Sequence, residues 1–222
     1  MGTPLLRVDQ LTKQYSRGLI RKKTTFSLAA DFQIDKPTVV GVMGPNGSGK
    51  TTLFELITGS NLPTAGRVLV NGQDIHQVRT RERDRLAIHY HQSYQVRSFQ
   101  RSKPNFMLDH AASDTPLVHL FDEPQFNTQD GYIGFMLEFF RKLRSEGKLV
   151  FLCLHPNERY HIDILRESCE RFIFVQKGAV TDQPVLVRVQ VQHTLKNMMA
   201  IFAGQASPLA AALNKLLKQV GF

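Results

Sequence analysis

With 222 residues, 42% apolar and 21% charged, the chain has the make-up of a soluble globular protein with one substantial core and room for a small appendage. No run of 18 apolar residues occurs, and the N-terminal MGTPLLRVDQ lacks the basic region and long apolar stretch of a signal peptide, so a cytoplasmic protein is expected. The formal charge of +9 draws polyanions, whether nucleic acid, nucleotide or an anionic membrane face, without choosing among them.

Along the chain, LLRV (5–8) opens a strand, and FSLAADFQID (26–35) alternates apolar and polar residues as a half-buried strand does. TVVGVM (38–43) is a continuous β-branched run, expected of a central parallel strand buried on both faces. GKTTLFELITG (49–59) reads as a helix closed by Gly59. GRVLVNGQDI (66–75) predicts an exposed strand and turn, LAIHYHQ (86–92) a strand, and PLVHLFDE (116–123) a buried one. The basic clusters RGLIRKK (17–23) and RTRERDRL (79–86) are read as solvated surface. GYIGFMLEFFRKLRSEG (131–147) carries apolar residues at helical spacing and ends on Gly147, which predicts a helix packed on the sheet. KLVFLCLH (148–155) predicts a further central strand, NERYHIDILRESC (157–169) a helix, and RFIFVQKGAV (171–180) a last strand entering a glycine turn. Strands alternating with helices make an α/β domain over residues 1–182. The style then changes, and 183–222 is assigned as a tail with a short strand and a helix, striped by Leu209, Leu213, Leu216 and Val220. Cys153 and Cys169 show no C-x-x-C spacing and are expected as buried reduced thiols. HYH (89–91) puts two imidazoles on one strand face, but with no third ligand it receives no metal role.

Three constellations carry chemistry. GPNGSGKT (44–51) matches G-x-x-x-x-G-K-[ST] between a buried strand and a helix start, the context in which that pattern binds phosphate. Its glycines let backbone N–H groups converge on phosphate oxygens, and the helix N-terminus adds partial positive charge. Lys50 is placed to reach the β and γ phosphates, and Thr51 to put its hydroxyl on Mg²⁺. The second constellation is LVHLFDEP, an apolar strand ending in two acids: Asp122 to hold Mg²⁺ through water and Glu123 to orient the attacking water. Third, His155 closes the next buried strand, where an imidazole can hydrogen-bond a γ phosphate.

Over about residues 5–182 the chain resembles the ATP-binding cassette family, the ATPase subunits of ABC transporters. GPNGSGKTTL matches the family's Walker A and LFDEP its Walker B with the following glutamate; the spacing from Gly147 to His155 matches the switch histidine. The resemblance implies a P-loop NTPase fold with an N-terminal antiparallel β part, and ATP and Mg²⁺ as ligands. It implies ATP contacts from Tyr15, stacked on adenine, and from Gly44, Pro45, Asn46, Gly47, Ser48, Gly49, Lys50, Thr51 and Thr52. Thr51, Gln92 and Asp122 would serve the metal; Lys50, Glu123 and His155 would be catalytic. The implied partners are integral membrane permease subunits, contacted through Gln92, and a second cassette. The implied location is the cytoplasmic face of a membrane.

Three departures stand out. Only 28 residues separate Gln92 from FDEP, where the family has a longer helical subdomain ending in a signature near LSGGQ; the helical subdomain is therefore read as truncated. The aligned position reads SFQRS (98–102), and Phe99, Gln100 and Arg101 cannot reproduce the close backbone approach of the signature's glycines to a partner's ATP. Arg97 or Arg101 could substitute by charge. Gln129 occupies the usual aspartate position of the D-loop. The tail has no counterpart in the family. The competing readings are a regulatory module that binds ATP with little hydrolysis and, favoured only by charge, a nucleic-acid-associated ATPase. No nucleic-acid partner is expected.

Overall fold

The computed structural model describes residues 2–18, 23–90, 116–124, 132–154 and 159–183. All of them belong to the first of two units into which the chain divides, Met1–Pro184. The tail assigned to 183–222 therefore lies, Gln183 apart, outside the described residues, as do residues 93–115 of the shortened segment after Gln92, the signature position and Gln129 of the D-loop.

Among the described residues ten strands form one mixed sheet in the order β5-β4-β1-β2-β10-β9-β3-β8-β7-β6. Its centre is parallel. β3 (Val39–Met43), β7 (Val118–Asp122) and β8 (Leu149–Cys153) are buried at every residue, β3 and β8 as their apolar runs predict and β7 with its polar His119 and Asp122 included. β8 pairs in parallel with β3 on one side and β7 on the other; β6 (Ala87–Tyr90) extends the edge beyond β7. The other half is antiparallel. β1 (Leu6–Arg17) lies between β2 (Lys23–Ile34) and β4 (Ala65–Val70), and the short β5 (Gln73–Asp74) forms the outer edge. β2 alternates as its sequence does, with Leu28, Ala30, Phe32 and Ile34 buried.

The halves are joined by an element the sequence did not announce. After β9 (Arg171–Gln176) the chain turns at Lys177 and Gly178 into β10 (Ala179–Gln183), antiparallel to β9 and touching β2 in parallel at Ala179 and Ala29.

Helices cover the parallel part. α1 (Lys50–Ile57) buries Leu53, Phe54, Leu56 and Ile57. α3 (Tyr132–Ser145) buries Met136, Phe139, Phe140 and Leu143 and packs against β8, β3 and α4 (Arg159–Ser168). No helix among the described residues is long and apolar enough to cross a membrane.

The structure extends or corrects three readings. The strand that LLRV opens, β1, runs twelve residues, because β2 pairs with it up to Arg17. β4 is exposed only in its first half, at Ala65, Gly66 and Arg67; Val68 and Val70 are fully buried in the core. Part of the charged run 79–86 is a helix, α2 (Thr80–Leu86), so Leu86 belongs to it and not to the strand that follows.

Candidate nucleotide-binding site

The loop from β3 into α1 is shaped by backbone contacts. The Ser48 N–H donates to the Pro45 carbonyl at 3.2 Å, and the Ser48 carbonyl accepts from the Gly178 N–H at 2.9 Å. The Gly178 carbonyl in turn accepts from the Ala29 N–H at 2.8 Å, so the β9–β10 turn braces the loop against β2. α1 starts at Gly49 with no side-chain cap and no acidic residue in its first turn. Its first N–H groups and partial positive charge are thus not neutralised by the helix's own side chains, the condition for receiving an anion.

Lys50 is buried, and its ammonium donates to the carbonyls of Gly44 at 2.8 Å and Pro45 at 3.0 Å. Both acceptors are neutral. An arriving phosphate would offer that charge a stronger, ionised acceptor.

The Thr51 hydroxyl donates to Asp122 Oδ2 at 3.0 Å, bringing the first turn of α1 to the end of β7. Nε2 of His89, on β6, stands 3.4 Å from the same Oδ2, a separation long for a hydrogen bond but within ion-pair range. The Cys153 thiol on β8, whose residue is in register with Asp122, also helps to favour the ionised carboxylate. Burial pushes the Asp122 carboxyl up, but the contacts with His89 and Thr51 outweigh it and hold the group below the usual carboxylate range. Burial and the neighbouring Asp122 charge push the Cys153 thiol far up, so it stays protonated as a donor. His89 and Cys153 were not foreseen in the sequence. The available signal was their position on the strands flanking β7, with Cys153 in register with Asp122.

Glu123 follows with a left-handed backbone, φ 50°, and its N–H donates to the Cys153 carbonyl at 2.9 Å. A cleft of about 500 Å³ brings together Tyr15 and Phe26 of the β1–β2 hairpin, loop residues 46, 47 and 49–52, and Glu123. Gly44, Pro45 and Ser48 do not line it; the first two hold the Lys50 ammonium from behind. Gln92 and His155 lie outside the described residues.

The residues suit a magnesium nucleotide. A Cβ at Gly47 would meet nothing within 4 Å, so the loop faces open space there, and the buried Ser48 hydroxyl has no hydrogen-bond partner among the described residues. Among those residues no three His, Cys, Asp or Glu side chains gather to hold a metal alone. Thr51 and Asp122 are hard oxygen donors of the kind Mg²⁺ takes when phosphate oxygens and water complete its shell.

The ABC transporter family model matches residues 29–125, a span from β2 through Glu123. That stretch is similar to the ATP-binding cassette family. The chain is 42% identical over 73 residues to the methionine import ATP-binding protein MetN 2 of Rhodococcus jostii, covering 33% of this chain and 21% of that protein. It is 36% identical over 83 residues to the lipoprotein-releasing system ATP-binding protein LolD of Xylella fastidiosa, covering 37% of this chain and 34% of that one. The matched stretch thus spans about a third or less of these curated relatives. A solved dimeric structure of the ATP-binding cassette MJ0796 bound to ADP and Pi superimposes with a TM-score of 0.62 at 17% identity, over 81% of this chain and 98% of that one. A structure of an ATP-binding subunit of an ABC transporter gives a TM-score of 0.61 at 16% identity, over 96% and 99%. At that identity these likenesses establish the fold.

Proposed function

We propose that this cassette is an ATP-hydrolysing subunit of a membrane transport complex, acting on the cytoplasmic face of the membrane with permease subunits and a second cassette. The observation that carries the reading is the meeting of Thr51 and Asp122 at 3.0 Å beside a cleft of about 500 Å³ with Glu123 on its wall. Tyr15 receives the adenine, the loop N–H groups bind the phosphates, and Lys50 turns from its two carbonyls to the β and γ phosphates. Thr51 and Asp122, with Gln92, would hold Mg²⁺, which when bound would supply neutralisation of charge on the phosphates. Glu123 orients a water and takes its proton as the water oxygen attacks the γ phosphorus and the bond to the β–γ bridging oxygen breaks. ADP and phosphate result. His155 is assigned to the γ phosphate, and the His89 and Cys153 contacts hold the Asp122 carboxylate ionised and fixed.

With no glycine at its signature position, the cassette is a poor clamp for a partner's ATP, so hydrolysis is assigned to pairing with a partner whose signature is intact. ATPase assays on the purified chain and on Glu123→Gln test this. Slow turnover with tight ATP binding is expected, Glu123→Gln removing what turnover there is. Brisk turnover of the chain alone, abolished by Glu123→Gln, would overturn the dependence on a partner. Failure to bind ATP would overturn the whole reading.

A further inference from the structure

Tyr15 does not carry its ring freely. Asn61 Nδ2, in the turn after α1, donates to the Tyr15 hydroxyl at 2.7 Å and to Glu55 Oε2 at 3.0 Å. The Asn61 backbone is itself tied: its N–H donates to the Glu55 carbonyl at 3.2 Å, and its carbonyl lies 3.1 Å from Nε2 of His76. A carbonyl only accepts, so Nε2 of His76 carries the proton. Burial lowers the affinity of His76 for a second proton, which keeps this ring neutral near pH 7. The same turn reaches the ring from another side, because Lys13, whose Nζ donates to the Leu62 carbonyl at 2.7 Å, lies 5.1 Å from the Tyr15 ring centroid.

Glu55 lies one helical turn beyond Thr51 on α1. The path from Thr51 along α1 to Glu55, Asn61 and the Tyr15 hydroxyl thus connects the phosphate end of the cleft to its aromatic end. Tyr15 sits in the β1–β2 hairpin beyond β1's last pairing with β4 at Thr12, where the strand pairs it with Phe26 on β2. At 37% exposure the ring keeps open surface to receive a flat ligand.

We propose that Asn61 is a positioning residue for nucleotide binding, fixing the Tyr15 ring relative to α1 so that base and phosphates are received together. The inference rests on the reading that Tyr15 stacks on adenine. An aromatic side chain held in place beforehand loses less freedom when the base arrives, so removing the tether weakens only the base-dependent part of binding.

The test is calorimetric titration of the full chain, in Mg²⁺ buffer, with ATP and with inorganic tripolyphosphate. Tyr15→Ala, Tyr15→Phe, Asn61→Ala and the Tyr15→Phe/Asn61→Ala double variant are compared. Tyr15→Phe keeps the ring and leaves the turn untouched, so it reports even if Asn61→Ala fails to fold. Tyr15→Phe and Asn61→Ala are each expected to weaken ATP by about three- to tenfold, the range of one net hydrogen bond. The double variant should be no weaker than either single, since both remove one interaction. Tripolyphosphate should bind all variants within about twofold of the parent. If Tyr15→Ala weakens ATP while Tyr15→Phe and Asn61→Ala do not, the role of Asn61 is overturned and stacking stands. If Tyr15→Ala leaves ATP binding intact, the stacking reading itself fails. Equal weakening of tripolyphosphate by Asn61→Ala would make Asn61 a structural residue of α1.

Discussion

Glu123 has a left-handed backbone immediately before Pro124. A side chain there costs roughly 1–2 kcal/mol, and a following proline further disfavours helical backbone angles. The bond from its N–H to the Cys153 carbonyl holds the residue in place, so strain is concentrated where a carboxylate must be aimed at the cleft. Glycine accepts this conformation at an entropic cost of about 0.5–1 kcal/mol, so Glu123→Gly is expected to stabilise the chain by a net amount of about 0.5–1 kcal/mol. It should bind ATP and lose hydrolysis. Urea melts read the first effect, and an unchanged or lower midpoint would mean that the turn stores no strain. The acid pair at this position was legible in the sequence as a strand ending in DE; the conformation of Glu123 was not, because a carboxylate can follow a strand in many backbone states.

The β9–β10 hairpin shows the same division among elements. Gly178, at φ 80°, has no room for a side chain: a Cβ would collide with the Ser27 carbonyl. Its N–H and carbonyl link the glycine-rich loop to β2. Gly178→Ala is therefore expected to cost more than about 2 kcal/mol and to weaken ATP binding with it. A wild-type denaturation midpoint would show that the brace is dispensable. The hairpin is closed by the fork of Arg171 on Asp182. RFIFVQ was readable as a strand because it is apolar; AVTDQ was not, since its strand character comes from two neighbours, β9 and β2, offering pairing edges. α2 was missed for a related reason. Among its seven residues only Leu86 is buried, so no apolar stripe marks it; its preceding contacts, such as Arg83 donating to the Gly59 carbonyl at 2.8 Å, fix it against the turn after α1.

For the whole molecule, ligand linkage is the decisive quantity. A folded site absent from the unfolded chain stabilises it by mass action, about 2.7 kcal/mol at a ligand concentration one hundred times Kd. Thermal melts with ATP and Mg²⁺ should rise accordingly, and EDTA should remove part of the shift. Thr51→Ala should abolish the part that EDTA removes, because Thr51 and Asp122 are the oxygen donors brought together there. A shift indifferent to EDTA would overturn the metal assignment. The sequence by itself determined most of the alternation of strands and helices, the buried central strands, the glycine-rich loop and the acid pair, because each is written in a few consecutive residues whose spacing carries the physics. Only the tertiary structure decided that His89 and Cys153 flank Asp122, that Asn61 holds Tyr15 and that β10 joins the two halves of the sheet. These contacts join residues far apart in the chain, and strand order, which no local pattern encodes, brings them together.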